Sequence, residues 1–451
     1  MSFSWTKRYK YKKFVKLPGV VNFMANKSNK ISSIAFGATI GTTMEWYDFF
    51  IAGLAAATVW PIVFFPTFSP AAALAASLSS YVVTFITRPI GGYIFGHFGD
   101  KLGRKSMLVW TLSLMGISSF GIALVPSYSS IGLWGPALVI LFRIILGLGL
   151  GGEWGGASAW ILEFSAKSRH RGFWSGWVNT ALGFGVALAA GLFTLVRIIS
   201  PTTFVTIGWR IPFVIGGFLI VIGIVIRYYL SESPVFDMQK EKGEISRAPA
   251  AEVLRKYAKK IFTLGFTLSY VIAIQSGVIL AFAVPFLVGV HHMDPTVVYS
   301  TIIVAAIVSV ITTELGAISS DRLGNKIPLI ISIILTIAFI YPYVLMVETL
   351  NIGLIFAAQA ILGGVCFYGY GVLVRLFGGN FETKYRYSGA GLVFQIGAAY
   401  GSVIAIIFPL VGAQKGGIGG TYVVILTAIM CILSLIPAVF IKGGDAIEAP
   451  A

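Results

Sequence analysis

Charge is what this chain has least of. Charged residues make up 11% of its 451 residues, against roughly 25% in soluble domains, and its mean hydropathy is +0.87. That composition excludes an ordinary soluble protein. Acids are scarcer than bases, 17 Asp and Glu against 33 Lys and Arg, and none occurs in the first thirty residues. Those residues also lack an uninterrupted apolar core, so they do not read as a cleavable signal peptide. The two cysteines, Cys366 and Cys431, fall inside apolar runs, make neither a disulfide framework nor a metal-ligand spacing, and read as packing residues. No stretch brings a nucleophile, a base and an orienting group together. An enzyme is not expected, nor is a metal or cofactor. No polar segment is long enough to build a soluble domain.

What is abundant is apolar sequence in long runs. Twelve stretches of about 20 residues or more lie near 31–58, 71–98, 105–126, 134–163, 172–200, 211–230, 261–290, 296–320, 327–347, 351–376, 388–411 and 421–441. They are continuous rather than alternating, which argues for helices and against a β-barrel. The expected fold is an all-α polytopic membrane protein with twelve transmembrane helices in two pseudo-symmetric six-helix halves. The halves span 31–230 and 261–441; a cytoplasmic loop at 231–260 joins them, and tails at 1–30 and 442–451 flank them. The net charge of +16 gathers on both tails and on alternate connections, leaving only Arg197, Arg210 and Lys415 on the other side. By the positive-inside rule both termini are cytoplasmic in a multi-pass plasma-membrane protein. The basic amino-terminal tail is expected to rest on anionic lipid head groups; nucleic acid is not an expected partner.

The organising turn is Gly96 to Lys105, GHFGDKLGRK. Asp100, Lys101, Arg104 and Lys105 crowd a corner between two apolar runs, and Gly96, Gly99 and Gly103 allow two helix ends to meet there. A degraded copy, AISSDRLGNK at 317–326, keeps Asp321 and Arg322 but lacks the first glycine and the first arginine. The stretches 148–172 and 363–389 repeat a second pattern, glycine-rich and ending in an acid, bases and a glycine. Internal repeats of this kind mark secondary transporters, whose substrate site lies where the repeats face each other near the bilayer midplane.

Ionisable residues within the apolar runs are costly and therefore informative. The first half holds Glu45 and Asp48 in its first span, Arg88 in its second, and Arg143 and Glu153 in its fourth. Glu45 and Asp48 fall at a depth similar to Arg88 and can pair with it. Three acids against two arginines leave one carboxylate poorly compensated, with a charge that a neighbour can switch. Asp48, Glu45, Glu153 and Arg143 are thus the candidates for proton coupling. The second half offers neutral groups instead, Tyr270, Gln275, Tyr368, Tyr370, Gln395 and Tyr400, with Asn179 as their counterpart in the first half. These suit substrate recognition or, equally, helix-packing hydrogen bonds.

Taken as a set, the turn, EWYDFF at 45–50, RPIGG at 88–92, GGEWGGA at 151–157, GWRIPF at 208–213 and SESPVF at 231–236 resemble the metabolite:proton symporter family of the major facilitator superfamily. The match covers the first half and the start of the central loop. The family's members move small carboxylates or zwitterions inward with protons, among them α-ketoglutarate, citrate, shikimate and proline or betaine. The resemblance implies Asp48 as the proton site opposite Arg143, and a cytoplasmic gate formed by Gly96, Asp100, Gly103, Arg104, Lys105, Glu163, Asp321 and Arg322. Within it Asp100 meets the start of the eleventh helix near Ser388, Arg104 pairs with Glu163, and the degraded copy grips less well. The expected activity is import of a mono- or dicarboxylate with protons by alternating access, the protein working as a monomer. Tyr47, Arg88, Arg143, Asn179, Tyr270, Gln275, Tyr368 and Gln395 are the expected substrate contacts. Two alternatives stand beside it: a zwitterion importer with an aromatic cage from Trp46, Tyr47, Tyr270 and Tyr368, and a membrane sensor that kept the fold without transporting.

Overall fold

The structure, a computed structural model, describes residues 31–229, 232–242, 248–408, 420–441 and 443, without the side chains of 234, 235 and 239. The expectations placed on the 1–30 tail and on most of the 442–451 tail lie outside the described residues. Among the described residues there is no strand.

Among the described residues eleven helical stretches are long and apolar enough to cross a bilayer. A twelfth, α1 (Ile31–Thr58), has 28 residues and is buried over most of its length. Threonines 39, 42 and 43 with Glu45 and Asp48 keep α1 short of that apolarity, and it lies inside the bundle. The others are α2 (Pro70–Leu102), α3 (Arg104–Leu124), α4 (Trp134–Phe164), α5 (Arg171–Ile199), α6 (Arg210–Tyr229), α7 (Pro249–Ile272), α8 (Pro295–Leu323), α9 (Lys326–Glu348), α10 (Ile352–Tyr370), α11 (Arg386–Ser402) and α12 (Gly420–Phe440). The expected twelve-helix architecture is therefore present.

Two elements depart from the apolar runs. α7 starts at Pro249, well before residue 261, because Pro249 suits the first helical position and Glu252 the positive end of the helix dipole. The polar connection is correspondingly shorter than 231–260, and a short helix, Pro234–Glu241, occupies part of it. Beyond Ile272, α7 continues as a π-helix over Ala273–Ala283 and again over Pro285–Val290. Pro285 has no N–H to give to the preceding turn, and local π adjustment is one way a membrane helix re-satisfies the freed carbonyls.

The halves meet along two main seams, α5 on α8 and α2 on α11, with α4 also against α11 and the interior helices α1 and α7 nearby. They touch at both ends. At the end bearing the basic turns, Asp100 holds Ser388 and Asp321 holds Gly172. At the opposite end Tyr299 Oη donates to Thr58 Oγ1 at 3.1 Å. Between them a cavity of ≈ 20 Å³, room for about one water, is lined by Phe50, Leu182, Gln275, Ile302, Ser309 and Phe367. The conformation is closed on both sides.

Candidate functional site

α1 delivers its two acids to different arginines. Glu45 forms an ion pair with Arg88 of α2, both wholly buried, and Arg88 Nε donates to Gln395 Oε1 of α11 at 2.7 Å. That guanidinium is committed to a carboxylate of its own half and an amide of the other. One helical turn on, Asp48 is fully buried, and neither of its oxygens has a hydrogen-bond partner. Ser119, its polar neighbour, gives its hydroxyl to the Phe213 carbonyl at 2.9 Å. The charge facing Asp48 is Arg143 of α4. Arg143 is equally buried; its Nε and Nη1 are unpartnered, its Nη2 reaches only the Tyr81 carbonyl at 3.5 Å, and its guanidinium lies 5.7 Å and 5.2 Å from the Phe49 and Tyr81 ring centroids. Asp48 and Arg143 thus face each other without an ion pair, the arrangement in which gain or loss of one proton changes most.

Glu153 is different. Arg227, in the last turn of α6, binds it through both guanidinium nitrogens, Nη1 at 2.7 Å from Oε2 and Nη2 on Oε1, and Thr111 Oγ1 adds a bond at 3.0 Å. The expected excess of acids over arginines in the first half is corrected by this residue: Arg227 brings the count to three against three. In sequence it sits among the basic residues at a helix end, where nothing distinguishes it from a residue facing the cytoplasm.

The turn at 96–105 is a latch between the halves. Ser388, near the start of α11, donates its backbone N–H and its hydroxyl to Asp100 Oδ2 at 3.0 and 2.6 Å. A Cβ on Gly96 would lie 2.9 Å from Ser388 Cα, so only glycine allows this approach, and Gly103 turns the chain at φ +112°. Arg104 pairs with Glu163 at 3.2 Å, and Glu163 also takes the Ser233 hydroxyl and stands 4.0 Å from Arg386 of the other half. Glu232 accepts from the backbone N–H groups of Arg104 and Lys105 at 3.1 Å each, capping α3, while the Lys105 ammonium lies over Tyr228. The segment at 232–233 therefore braces the turn. In the second half Asp321 accepts from Gly172 N, at the start of α5, at 2.7 Å, and pairs with Arg375 at 3.0 Å. Arg322 is exposed; Arg375, not singled out for the gate, takes the place expected of it.

A family profile for sugar (and other) transporters matches residues 34–263. An inner membrane metabolite transport protein of Escherichia coli is 32% identical over 388 residues, 84% of this chain and 87% of its own. The E. coli shikimate transporter is 30% identical over 418 residues, 91% of this chain and 94% of its own. The E. coli proline/betaine transporter is 31% identical over 380 residues, 81% and 75%. A solved structure of a proton:xylose symporter of the major facilitator superfamily superimposes with a TM-score of 0.70 at 18% identity, covering 92% of this chain and 95% of its own, a likeness of fold. The chain belongs to the major facilitator superfamily. Among its transporters it resembles the metabolite:proton symporters, and it is a membrane transporter rather than an enzyme.

Within this facilitator the neutral polar residues divide by the face they turn. Asn179 accepts from Trp154 Nε1 at 3.0 Å and donates across the seam to the Tyr370 carbonyl at 2.5 Å. Gln395 donates to the Leu150 and Gly151 carbonyls at 3.2 and 3.0 Å. Both act here as struts between halves. Trp154, which sequence reasoning passed over, stacks on Phe394 of the other half at 4.1 Å. Tyr270 and Tyr368, expected at the substrate site, turn away from it: Tyr270 Oη meets Ser332 and the Cys366 carbonyl, and Tyr368 Oη donates to Ser319, all in the second half. Tyr47 donates to the Pro212 carbonyl at 2.6 Å within the first. The four aromatic residues of the expected cage do not converge. Gln275 alone of the candidates lines the central cavity, in the π-helical part of α7, with both amide atoms unpartnered.

Proposed function

We propose that this facilitator is a proton-coupled symporter that imports a small organic solute, a mono- or dicarboxylate, by alternating access. The observation that carries the reading is the buried, unpartnered Asp48 facing the unpartnered nitrogens of Arg143. An outward-facing protein takes a proton on Asp48, which frees Arg143 to give charge-assisted hydrogen bonds to a substrate carboxylate. Gln275 contributes neutral contacts from the other half. The opposite end then closes, the basic end opens, and solute and proton leave together. One proton crossing 100 mV supplies about 2.3 kcal/mol. Arg88, held by Glu45 and Gln395, positions α2 against α11 and is not counted on for substrate.

In this reading the protein lies in the plasma membrane as a monomer with both termini cytoplasmic and its basic tail on anionic lipid. A zwitterion such as proline or betaine remains the second substrate class because the relatives include carriers so named; Arg143 serves its carboxylate equally well.

The test is purified protein in liposomes with an internal pH dye, given carboxylates, amino acids and betaines in turn under an imposed pH gradient. Internal acidification accompanying one solute and lost in Asp48→Asn is expected. Uptake without acidification, or coupling unchanged in Asp48→Asn, would overturn it.

A further inference from the structure

One neutral side chain where the halves meet has no part in the scheme so far. Tyr370 is the last residue of α10, and Asn179 of α5 holds its carbonyl. Its phenol is fully buried, and the polar groups around it belong to the first half: Glu45 and Trp46 of α1 and Arg88 of α2. Both α1 and α10 line the central cavity one turn away, with Phe50 and Phe367. Trp46 precedes Phe50 in a helix that leaves the basic end, and Tyr370 follows Phe367 in one that returns to it. The cluster therefore floors the cavity on its basic side.

Four hydrogen-bonding atoms of this cluster are buried and unpartnered: Glu45 Oε2, Trp46 Nε1, Arg88 Nη1 and Tyr370 Oη. Arg88 is the least free of them, its guanidinium already fixed by Glu45 and Gln395. Folded proteins leave few buried polar groups without a partner, and those that are left ask for one. The set is mixed in kind. Glu45 Oε2 accepts, Trp46 Nε1 and Arg88 Nη1 donate, and Tyr370 Oη does either. A second carboxylate would serve the donors but confront Glu45 Oε2; an ammonium would serve Glu45 but confront the N–H groups. A hydroxyl gives to the one and takes from the others. The Phe49 ring borders both this cluster and the facing Asp48 and Arg143, its centroid lying 5.8 Å from the Arg88 guanidinium carbon and 5.7 Å from that of Arg143. One small solute can reach both centres.

We propose that Tyr370 and Trp46, with Glu45 Oε2, are the specificity site of this transporter, and that its solute is a hydroxylated carboxylate. The carboxylate lies on Arg143; the hydroxyl donates to Glu45 Oε2 and accepts from Trp46 Nε1 or Tyr370 Oη. Since Trp46 and Tyr370 come from opposite halves, the same hydroxyl draws the halves together, which is what closure around a bound solute requires. The inference rests on the reading in which Arg143 takes the solute's carboxylate.

The test uses full-length protein in the pH-dye liposomes, against protein-free vesicles, with acids matched except at one carbon: malate against succinate and aspartate, citrate against tricarballylate, and 3-hydroxycyclohexanecarboxylate against cyclohexanecarboxylate. The hydroxylated member of at least one set is expected to be carried with kcat/KM at least about tenfold above its hydrogen or ammonium counterpart. Tyr370→Phe, which keeps the ring, is expected to raise KM for that hydroxy acid about tenfold and to leave kcat/KM of the counterpart unchanged, abolishing the discrimination; Trp46→Phe acts in the same direction. A deoxy or amino acid carried as well as its hydroxylated match, or Tyr370→Phe slowing both members alike, overturns the hydroxyl site and leaves the carboxylate symporter standing. A protein that acidifies the vesicles with none of the carboxylates overturns both.

Discussion

At the scale of single residues, two buried acids of the first half invite opposite outcomes. Glu153 is satisfied by Arg227 and Thr111, so removing Arg227 strands a carboxylate in the bundle. Arg227→Met is expected to cost about 3–5 kcal/mol, read as a lower thermal midpoint in detergent, and Glu153→Met with Arg227→Met is expected to recover most of it. Asp48 has no hydrogen bond to lose. Asp48→Asn is therefore expected to leave the midpoint unchanged or raise it while abolishing acidification; a large fall would mean that Asp48 is a structural residue. The sequence made the Glu45–Arg88 pair legible through equal depth in antiparallel helices, and the contact between Asp100 and Ser388 through the resemblance. It hid Arg227, because a base at a span's end reads as an orientation signal. It also hid the direction of Tyr270 and Tyr368, because apolar runs without a strong polar face do not say which side of a helix looks inward.

At the scale of elements, the seams depend on close backbone approach. Gly96 lies so near Ser388 that an added Cβ falls 2.9 Å from its Cα, closer than carbon atoms pack. Gly96→Val is expected to fold, since each half keeps its own packing, but to part α2 from α11. With the native cysteines replaced, a Phe394→Cys probe, buried in the parent against Trp154 of the first half, is expected to react with maleimide at least about tenfold faster in that background; equal rates would show that the seam tolerates the side chain. The tie from α7 to the segment before α11 behaves otherwise. Lys256, then Tyr257, holds the exposed Glu382 carboxylate down to about 2 from its ordinary 4.5. A depressed acid contributes fully above its unfolded value and loses that contribution only as pH falls through the folded one. From pH 5 upward this tie is constant, so Glu382→Gln is expected to lower the thermal midpoint by the same small amount at pH 5.5 and at pH 8. A loss that differs between the two pH values would show that Lys256 and Tyr257 do not hold the carboxylate down.

At the scale of the whole molecule, the two ends of the closed conformation are unequally tied. Among the described residues the opposite end shows a neutral bond, Tyr299 to Thr58, worth about 0.5–1.5 kcal/mol, and a solvent-exposed ion pair between Arg197 and Asp294 at 3.9 Å, worth about 0–1 kcal/mol. The basic end shows Asp100 taking two bonds from Ser388, Asp321 taking one from Gly172, Tyr387 Oη donating to the Gly152 carbonyl at 2.7 Å, and Glu163 near Arg386. Buried bonds to charged groups contribute about 1.5–3 kcal/mol each, so the closed molecule is expected to yield first at the opposite end, which in the proposed orientation makes the outward-facing form the neighbouring state. Repeated architecture accounts for the shared design of the two latches, and the loss of glycine and arginine from the second turn accounts for their inequality. Asp100→Ala, which removes two charge-assisted bonds, is expected to raise the population open at the basic end more than Asp321→Ala, which removes one bond across the seam. Each such bond is worth about tenfold in that population. Distances across both ends, measured between paired spin labels on the two halves, decide it: equal shifts in the two variants would show that the gate is closed by apolar packing along α5–α8 and α2–α11, with the carboxylates only marking where the helices begin.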